Sequence, residues 1–386
     1  MDSSKIVERG DAIIHKRTSR IKSKETPTKQ SLKKRVGKPL LFLLFIGINV
    51  GVIAATAINE FGNSENAAEL AEVKINWWML FPAALCFVVA FTLDIYKYVL
   101  LLRKNTKLGT FKKGEDWKLA RRTVIFGKYY DNITPASVGG QPFQIYYLHK
   151  SGKLPSGLAT TLPMIGMIAL QVAFIIVALV CFLSGASDKM MLLGVTAWVG
   201  LLVYAFWPIM VLIATFFPKT MTKIINFVVN LLAKIKIVKN REEVTKRVEY
   251  EVGEYVNSVK MILKRRGVLL QLILLMIAYN VLMASIPFFV LTAFGGDVAY
   301  FPSLALTVAV MSAVYFVPTP GNSGAAEGAF YLVFNALSTG YVFWAMLVWR
   351  FFTYYIYIIM GPITYLKMKI EQRKNNHITK VDPKNV

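Results

Sequence analysis

The sequence predicts an all-α polytopic membrane protein with six transmembrane helices and two oppositely oriented re-entrant helical hairpins in an inverted repeat. Three observations support this fold class. The chain of 386 residues is 55% hydrophobic, and it contains several apolar runs longer than the roughly 18 residues that a membrane-spanning helix needs. Two apolar segments, residues 123–150 and 302–337, are interrupted by proline and glycine, which a straight helix does not accommodate. Loops with an excess of Lys and Arg alternate along the chain with loops that lack such an excess. This alternation is expected when successive loops lie on opposite sides of a membrane.

The two interrupted segments share a pattern. Shifting the sequence by 185 positions aligns five identical pairs: Tyr130 and Tyr315, Thr134 and Thr319, Pro135 and Pro320, Gly139 and Gly324, Tyr146 and Tyr331. Lipid tolerates a broken backbone only where protein covers it or where it lines a cavity. One such segment in each half of a membrane protein is the best pointer in a sequence to a transporter's binding site.

The order of the elements follows from the apolar runs and the charges of the loops. The six spans are predicted at residues 40–58, 77–102, 157–183, 190–217, 268–294 and 341–365. The first hairpin has basic residues at both ends and therefore opens to the cytoplasm, with two arms of about a dozen residues. The second hairpin follows the loop 295–301, which has no basic residue, and therefore enters from outside. The alternative is that each hairpin is a kinked helix that crosses the whole membrane. It would place the basic loop 218–266 outside, so we disfavour it.

The charge distribution predicts the domain organisation. Residues 1–39 carry twelve Lys and Arg against four acids and no apolar run, which predicts a disordered cytoplasmic arm near anionic lipid. Residues 40–369 form the transmembrane domain, with a cytoplasmic loop at 218–266, and residues 370–386 form a cytoplasmic tail. The protein is thus expected to be multi-pass in the cell membrane with both termini cytoplasmic. The net charge of +23 is concentrated in the loops beside the spans. This placement indicates that the basic residues set the membrane topology and contact lipid, so no nucleic acid partner is expected. No metal-ligand spacing is present and no cofactor is expected.

At the breaks the sequence resembles the flippase-like membrane domain of the lysylphosphatidylglycerol synthase family. Its first signature, roughly Thr-Pro-x-x-x-Gly-Gly-Glu-Pro-x-Arg, is matched by Thr134-Pro135, Gly139-Gly140 and Pro142. Its second, roughly Pro-x-Pro-Gly-x-x-Gly-x-x-Glu-Gly, is matched by Pro318, Pro320-Gly321, Gly324 and Glu327-Gly328, and an arginine of the closing span corresponds to Arg350. Gln141 and Gln144 replace the usual Glu and Arg, so a charged pair is neutral here. The resemblance implies movement of a phospholipid or lipid-linked headgroup between leaflets.

The hairpin tips are the candidate binding site. In each hairpin a half-helix is predicted to begin just after the break, near Gln141 and near Ser323, so that unpaired amides and the positive end of the dipole form an anion site. A lipid phosphate would be the natural occupant. The alternative is that the glycines only allow the two arms to pack closely. The predicted substrate-binding residues are Gly139, Gly140, Gln141, Gln144, Gly321, Asn322, Ser323, Gly324, Glu327 and Arg350.

Five ionisable residues lie in segments of membrane depth, where a charge faces a cavity or a partner. Glu327 and Arg350 are expected to pair, with Arg350 either binding phosphate or completing a fixed ion pair. Asp94 lies three positions before Lys97 and therefore on the same helical face, as a structural pair or a coupling charge. Asp131, at the end of the first arm, is expected to cap the turn or to carry a coupling proton.

The leading functional hypothesis is a lipid flippase whose partners are anionic or aminoacylated phospholipids or glycolipids. The alternative is a secondary transporter for a small anionic or zwitterionic solute. An enzyme is disfavoured because the sequence lacks paired carboxylates, a histidine-based nucleophile system and a metal cluster near the interface. The resemblance adds that the soluble synthase domain is not expected, since about twenty residues follow the last span. A homo-oligomer remains open.

Overall fold

The computed structural model describes residues 74–105, 114–184, 191–217, 264–315, 317–337 and 341–381, together with isolated positions between 54 and 260. The predicted arm 1–39 lies outside the described residues. So does nearly all of the first predicted span, 40–58, and of the loop 218–266. The remaining predicted spans and both hairpins fall within the described parts of the chain, except for residues 190 and 316.

The described residues are helical apart from short turns, and no β-strand occurs among them. In chain order the α-helices are α1 (Leu80–Asn105), α2 (Glu115–Ile133), α3 (Gly140–Lys150), α4 (Ser156–Leu183), α5 (Met191–Phe216), α6 (Arg266–Ala293), α7 (Tyr300–Val314), α8 (Ala325–Asn335), α9 (Val342–Arg350) and α10 (Ile356–Val381). A 3-10 turn, Trp77–Met79, leads into α1, and a π-helical turn, Phe351–Tyr355, joins α9 to α10.

Four of the described helical segments are long and apolar enough to cross a membrane: Trp77–Asn105, Ser156–Leu183, Arg266–Ala293 and Val342–Arg373. The helix α7 is apolar but has only 15 residues, which is about 22 Å at 1.5 Å per residue. A hydrocarbon core of roughly 30 Å needs about 20 residues of helix. The structure therefore shows an all-helical membrane protein in which some apolar helices are too short to cross alone.

Two predicted boundaries need correction. The first arm of the first hairpin is not about a dozen residues long from residue 123, because α2 has 19 residues and begins at Glu115. Gly114 has a φ of 86°, which favours glycine, and Glu115 and Asp116 in the first turn stabilise the positive end of the helix dipole. The closing helix also continues beyond the predicted end at residue 365 and reaches Val381.

The internal repeat suggested by the sequence extends to the backbone. Adding 185 converts the start of α2, residue 115, into the start of α7, residue 300, and converts α3, residues 140–150, into α8, residues 325–335. The same shift relates two 3-10 turns, Pro135–Ser137 and Pro320–Asn322. Ser137 and Asn322 end these turns with φ values of 51° and 55°. Non-glycine residues rarely adopt positive φ, so this shared feature supports the repeat, although the glycines that precede α3 and α8 differ, with φ of −81° at Gly139 and 84° at Gly324.

The contacts at the helix ends show how the two helix pairs run. At one end, here called the basic end, Arg103 pairs with Asp116, and Arg265 donates to the carbonyl oxygen of Lys104. At the opposite end, the amide of Asn76 donates to Ala293 O at 2.7 Å. The helix α2 starts at the basic end, because Asp116 lies in its first turn.

The second pair starts from the other side. The amide of Tyr341 donates to Phe294 O at 3.0 Å, which places the beginning of α9 beside the end of α6. The helix α7 begins at Tyr300, six residues after Phe294, and therefore also at this opposite end. The helices α2 and α7 thus begin at opposite ends of the described helices α1 and α6.

Stacked aromatic rings hold both short helices in place. Phe143 of α3 stacks on Tyr130 of α2 with ring centroids 4.0 Å apart. Phe330 of α8 stacks on Trp349 of α9 at 4.6 Å, and both are fully buried. Such pairs add roughly 0.5–1.5 kcal/mol beyond the area they bury. They therefore fix the beginning of α3 and the position of Arg350, which follows Trp349.

Candidate functional site

The break between α2 and α3, residues 134–139, is called the first tip. Thr134 Oγ1 donates to Tyr130 O at 2.7 Å and accepts the amide of Gly139 at 2.9 Å. A Cβ on Gly139 would lie 2.5 Å from the Thr134 side chain and 2.9 Å from Tyr130 O. Only glycine fits there, because the tip folds back onto the last turn of α2.

The N-terminus of α3 is closed by a carboxylate from α2. Asp131 Oδ1 accepts the amide of Gly140 at 2.8 Å. A Cβ on Gly140 would lie 2.4–2.5 Å from both carboxylate oxygens, so the whole carboxylate lies over the first turn. The amide and the helix dipole that the sequence assigned to a substrate anion are thus satisfied by the protein's own anion in this conformation.

The break between α7 and α8, residues 317–324, is called the second tip, and it is closed in a similar way. Glu327 Oε2 accepts the amide of Gly324 at 2.7 Å, and Gly324 has a φ of 84°, a conformation that favours glycine. The other carboxylate oxygen, Glu327 Oε1, accepts from Arg350 Nε at 2.7 Å. Glu327 is 1% exposed and Arg350 is 3% exposed. The structure therefore joins these two residues in a buried ion pair.

Arg350 also holds the second tip directly. Its Nη2 donates to Ser323 Oγ at 3.0 Å and to Gly321 O at 3.3 Å. Its guanidinium lies 4.7 Å from the ring centroid of Tyr354. Ser323 is fully buried. Arg350 thus bonds to two groups of the second tip as well as to Glu327, as its planar fork of donors allows.

The two tips contact each other. Ser137 Oγ donates to Asn322 Oδ1 at 3.5 Å, between positions that the 185-residue shift relates. Asn132 Nδ2 donates to Tyr354 O, and Tyr354 Oη donates to Asn132 O, both at 3.3 Å. Tyr354 belongs to the π-helical turn, and such turns occur frequently at functional sites. A Cβ on Gly321 would lie 2.4 Å from the Tyr354 ring, so the tips are closely packed.

A polar cavity of about 50 Å³ lies beside the first tip, between α1, α2, α3 and α4. Its charged and polar lining residues are Asp94, Lys97, Tyr98, Lys128, Asp131, Gln141 and Gln144. One water molecule needs about 10–15 Å³ of cavity volume measured in this way. The cavity therefore has room for roughly four water molecules, and it is too small for a phospholipid headgroup. Lys97 pairs with Asp94, and both are buried. Tyr98 Oη donates to Gln144 Oε1 at 2.9 Å, and Gln144 Nε2 donates to Thr123 O at 3.2 Å.

The predicted site residues fall into two groups. Asp94, Asp131, Gln141 and Gln144 surround the cavity of the first tip. The other group, Gly321, Ser323, Gly324, Glu327 and Arg350, builds the second tip, and Asn322 joins it to the first. Asn322 also donates from Nδ2 to Val314 O at 3.0 Å, which ties the second tip to the end of α7.

Sequence reasoning missed two residues of the cavity, Tyr98 and Lys128. Lys128 lies 5.5 Å from the ring centroid of Tyr279 and lines the cavity. The sequence contains a signal that could have identified Lys128. It precedes Asp131 by three positions, which is the spacing that also separates Asp94 from Lys97. Two oppositely charged pairs at helical spacing in two apolar segments point to a shared polar surface. Among the described residues, no group of three or more His, Cys, Asp or Glu could hold a metal ion.

The fold and the tips define a helical membrane protein whose two halves each contain a broken, glycine-rich segment. The class is that of membrane proteins with paired interrupted helices. The model of the family described as "Lysylphosphatidylglycerol synthase TM region" matches residues 40–361, and the chain belongs to this family. Searches among curated proteins and among solved structures each found no match.

Proposed function

We propose that the protein is a lipid translocator that moves a phospholipid or a lipid-linked headgroup between the two leaflets of the cell membrane. The observation that carries the proposal is the meeting of the two tips. Two short helices, α3 and α8, begin at tips that touch, and their outer arms start from opposite ends of the molecule. The membership of the chain in a membrane-domain family supports the same conclusion. The proposal assigns transport, and no bond-making chemistry, to this chain.

The proposed topology has six transmembrane helices and two re-entrant hairpins, α2–α3 and α7–α8, in an inverted repeat. The basic end of the molecule would be cytoplasmic, because Lys and Arg accumulate in cytoplasmic loops. The basic end contains Arg103 and Arg265, and also the ion pairs of Glu371 with Lys118 and Arg122. The first hairpin would then open to the cytoplasm and the second to the outside. Both chain termini would be cytoplasmic.

The tips supply the proposed headgroup site. Each presents the first-turn amides of a half-helix at membrane depth, where a phosphate is favoured by the dipole. In the present conformation the amide of Gly140 is bonded to Asp131 and that of Gly324 to Glu327, and the cavity beside the first tip is about 50 Å³. Binding of a headgroup therefore requires one hairpin to open and its carboxylate to move. The acyl chains would remain in the bilayer while the headgroup passes the tips.

A second candidate is a secondary transporter for a small anionic or zwitterionic solute. The observation in its favour is the cavity itself, which is small and is lined by both signs of charge, the carboxylates of Asp94 and Asp131 and the ammonium groups of Lys97 and Lys128. A soluble zwitterion of a few heavy atoms would satisfy such a lining after a modest expansion. The two candidates differ in whether the substrate has acyl chains.

A headgroup-resolved translocation assay in proteoliposomes tests the proposal. Vesicles would contain phosphatidylglycerol, phosphatidylethanolamine or an aminoacylated phosphatidylglycerol in one leaflet, and the lipid reaching the other leaflet would be measured with impermeant headgroup reagents. We expect protein-dependent movement of at least one of these lipids. Protein-free vesicles and the variant Gly324→Val are the controls, since Gly324 has a φ of 84°. If no lipid moves while soluble glycerophosphate or amino acids are taken up, the solute transporter replaces the lipid translocator.

A further inference from the structure

We propose that the second tip is a two-state switch, in which the amide of Gly324 moves from the carboxylate of Glu327 to the hydroxyl of Thr319. The structure shows the second tip in the carboxylate-bonded state. The first tip shows, with the same types of residue, the hydroxyl-bonded state that the second tip would reach. The role of this switch in transport rests on the proposed function, whereas its existence does not.

The two tips bond equivalent glycine amides to different acceptors. Gly139 and Gly324 occupy the same position under the 185-residue shift. In the first tip the amide of Gly139 donates to Thr134 Oγ1 at 2.9 Å, and this hydroxyl donates in turn to Tyr130 O at 2.7 Å. In the second tip the amide of Gly324 donates to Glu327 Oε2 at 2.7 Å. The two halves of the chain therefore show two bonding patterns for one kind of tip.

The hydroxyl that could accept the amide of Gly324 is present and unused. Thr319 is the equivalent of Thr134, and its Oγ1 is buried without a hydrogen-bond partner among the described residues. The carbonyl that it would bond belongs to Tyr315, the equivalent of Tyr130. Buried polar groups are nearly always hydrogen-bonded, and a bond of this kind that is not made destabilises the state that lacks it. The second tip thus contains the three groups of the first tip's bonding pattern but does not join them.

The backbone of the second tip is also the more strained of the two. Gly324 has a φ of 84° and a ψ of −56°, values typical of the rare γ-turn with positive φ. Gly139 has a φ of −81° and a ψ of −21°, which lie in the ordinary helical region. Gly321 has a φ of 58°, whereas its counterpart Ala136 is not among the described residues with positive φ. Strained backbone persists where its surroundings hold it, and it is common in switch regions.

The contacts that hold the strained state come from Glu327 and Arg350. Glu327 Oε2 accepts the amide of Gly324, and Glu327 Oε1 accepts from Arg350 Nε at 2.7 Å. Arg350 also donates to Gly321 O at 3.3 Å. Transfer of the Gly324 amide to Thr319 breaks the amide bond of Oε2 and leaves the ion pair at Oε1 in place, so the buried charges stay compensated. Glu327 Oε2 then becomes available to a new donor, such as a hydroxyl or ammonium group of the transported molecule.

Matched threonine variants test whether the hydroxyl-bonded state exists. The full chain with isotope-labelled glycine would be studied in lipid nanodiscs by NMR saturation transfer, which detects a minor state that exchanges with the main one within milliseconds. We expect such a state at the Gly324 amide of the wild type. Thr319→Val should lower its population by roughly 5- to 150-fold, because this variant removes two hydrogen bonds of the minor state and none of the main one. Thr319→Ser, which keeps the hydroxyl, should retain it.

A glycine variant should enrich the same state. Gly321→Ala opposes the present state in two ways, because alanine disfavours a φ of 58° and its Cβ would lie 2.4 Å from the Tyr354 ring. We expect the Gly324 signal to move to the position of the minor state, and the addition of Thr319→Val to reduce that state again. Gly194→Ala, where a Cβ has no neighbour within 4 Å, should leave the signal unmoved.

Two results would overturn the inference. One is the absence of a second state at the Gly324 amide from both the wild type and Gly321→Ala. The other is an exchange that Thr319→Val leaves unchanged. Either result would show that the second tip has one state and that the hydroxyl of Thr319 is only a packing group.

Lipid translocation in proteoliposomes relates the switch to transport. Thr319→Val should slow translocation by a factor similar to its effect on the minor state, and Thr319→Ser should transport as the wild type does. A translocation rate that Thr319→Val leaves unchanged would overturn the role of the switch in transport. Absence of any lipid movement by the wild type, with the exchange at Gly324 present, would overturn the proposed function alone.

Discussion

The buried pair of Glu327 and Arg350 gives the sharpest prediction about the second tip. Glu327→Gln and Arg350→Gln each remove one charge and leave the other 1–3% exposed in a segment of membrane depth. Removing one partner of a buried ion pair destabilises a protein by about 3–5 kcal/mol, because the remaining charge is uncompensated. We expect the larger loss for Arg350→Gln, since Arg350 also donates to Ser323 Oγ and Gly321 O.

The double variant should lose less than the sum of the single losses. With both charges removed, the penalty for an isolated charge disappears, and the two amide side chains can still bond to each other and to Gly324. Residues in direct contact show coupling energies of roughly 0.5–3 kcal/mol, and the 2.7 Å contact between Arg350 Nε and Glu327 Oε1 places this pair toward the upper limit. Arg350→Lys should lie between wild type and Arg350→Gln, because lysine keeps the charge without the fork of donors.

The measurement is the free energy of unfolding in mixed detergent micelles, obtained for the wild type, both single variants and the double variant. Lipid translocation by the same four proteins would show whether the pair serves transport as well as stability. Strictly additive losses, or a loss below about 1 kcal/mol for both single variants, would show that the two charges do not depend on each other and would refute the reasoning.

Three further predictions address topology, the first tip and the cytoplasmic end. In a cysteine-free background a cysteine replacing Ser64 should react with an impermeant thiol reagent from outside and one replacing Lys113 should not, because basic loops are cytoplasmic; labelling at Lys113 would overturn the topology. Gly140→Val should abolish translocation without preventing membrane insertion, since a Cβ there meets the Asp131 carboxylate at 2.4 Å, whereas Gly194→Val, where a Cβ has no neighbour within 4 Å, should remain active. Glu371→Gln should lower the free energy of unfolding by less than about 1 kcal/mol, and less still in high salt, because this pair is 46% exposed on its acidic side; a loss of 3 kcal/mol or more, measured in the same micelles, would contradict this estimate of a surface pair.

The backbone of the site was more predictable than its chemistry. Proline and glycine mark both breaks, and the identities between Thr134 and Thr319 and between Pro135 and Pro320 revealed a repeat that the 3-10 turns reproduce. These signals are local, because φ restrictions act within a few residues. The predicted start of the first arm at residue 123 is too late, because Glu115 and Asp116 favour the first turn of a helix and α2 begins there.

The cavity could not be predicted for a different reason. The spacing of Asp94 and Lys97 shows which residues share a helical face, and says nothing of which helix that face contacts. Lys128 reaches the same cavity from α2, an arrangement that depends on how α1 and α2 pack against each other. Packing of this kind follows from side-chain shape along both helices, so the juxtaposition of the four charges appears only in three dimensions.

The two tips have the same order of elements but different electrostatic arrangements, which bears on how an inverted repeat could work here. In the first tip the capping carboxylate comes from the arm before the break, has a backbone amide as its hydrogen-bond donor and borders a cavity. In the second tip the carboxylate belongs to the half-helix that it caps, and Arg350 fixes its other oxygen. Opening the first tip requires the hydrogen bond between a neutral backbone amide and the capping carboxylate to break. Opening the second requires a buried ion pair to separate, which is far more costly. Equal exchange between the two halves would need comparable energies for both openings. If the hairpins open as proposed, the first is therefore expected to open at a lower energetic cost than the second.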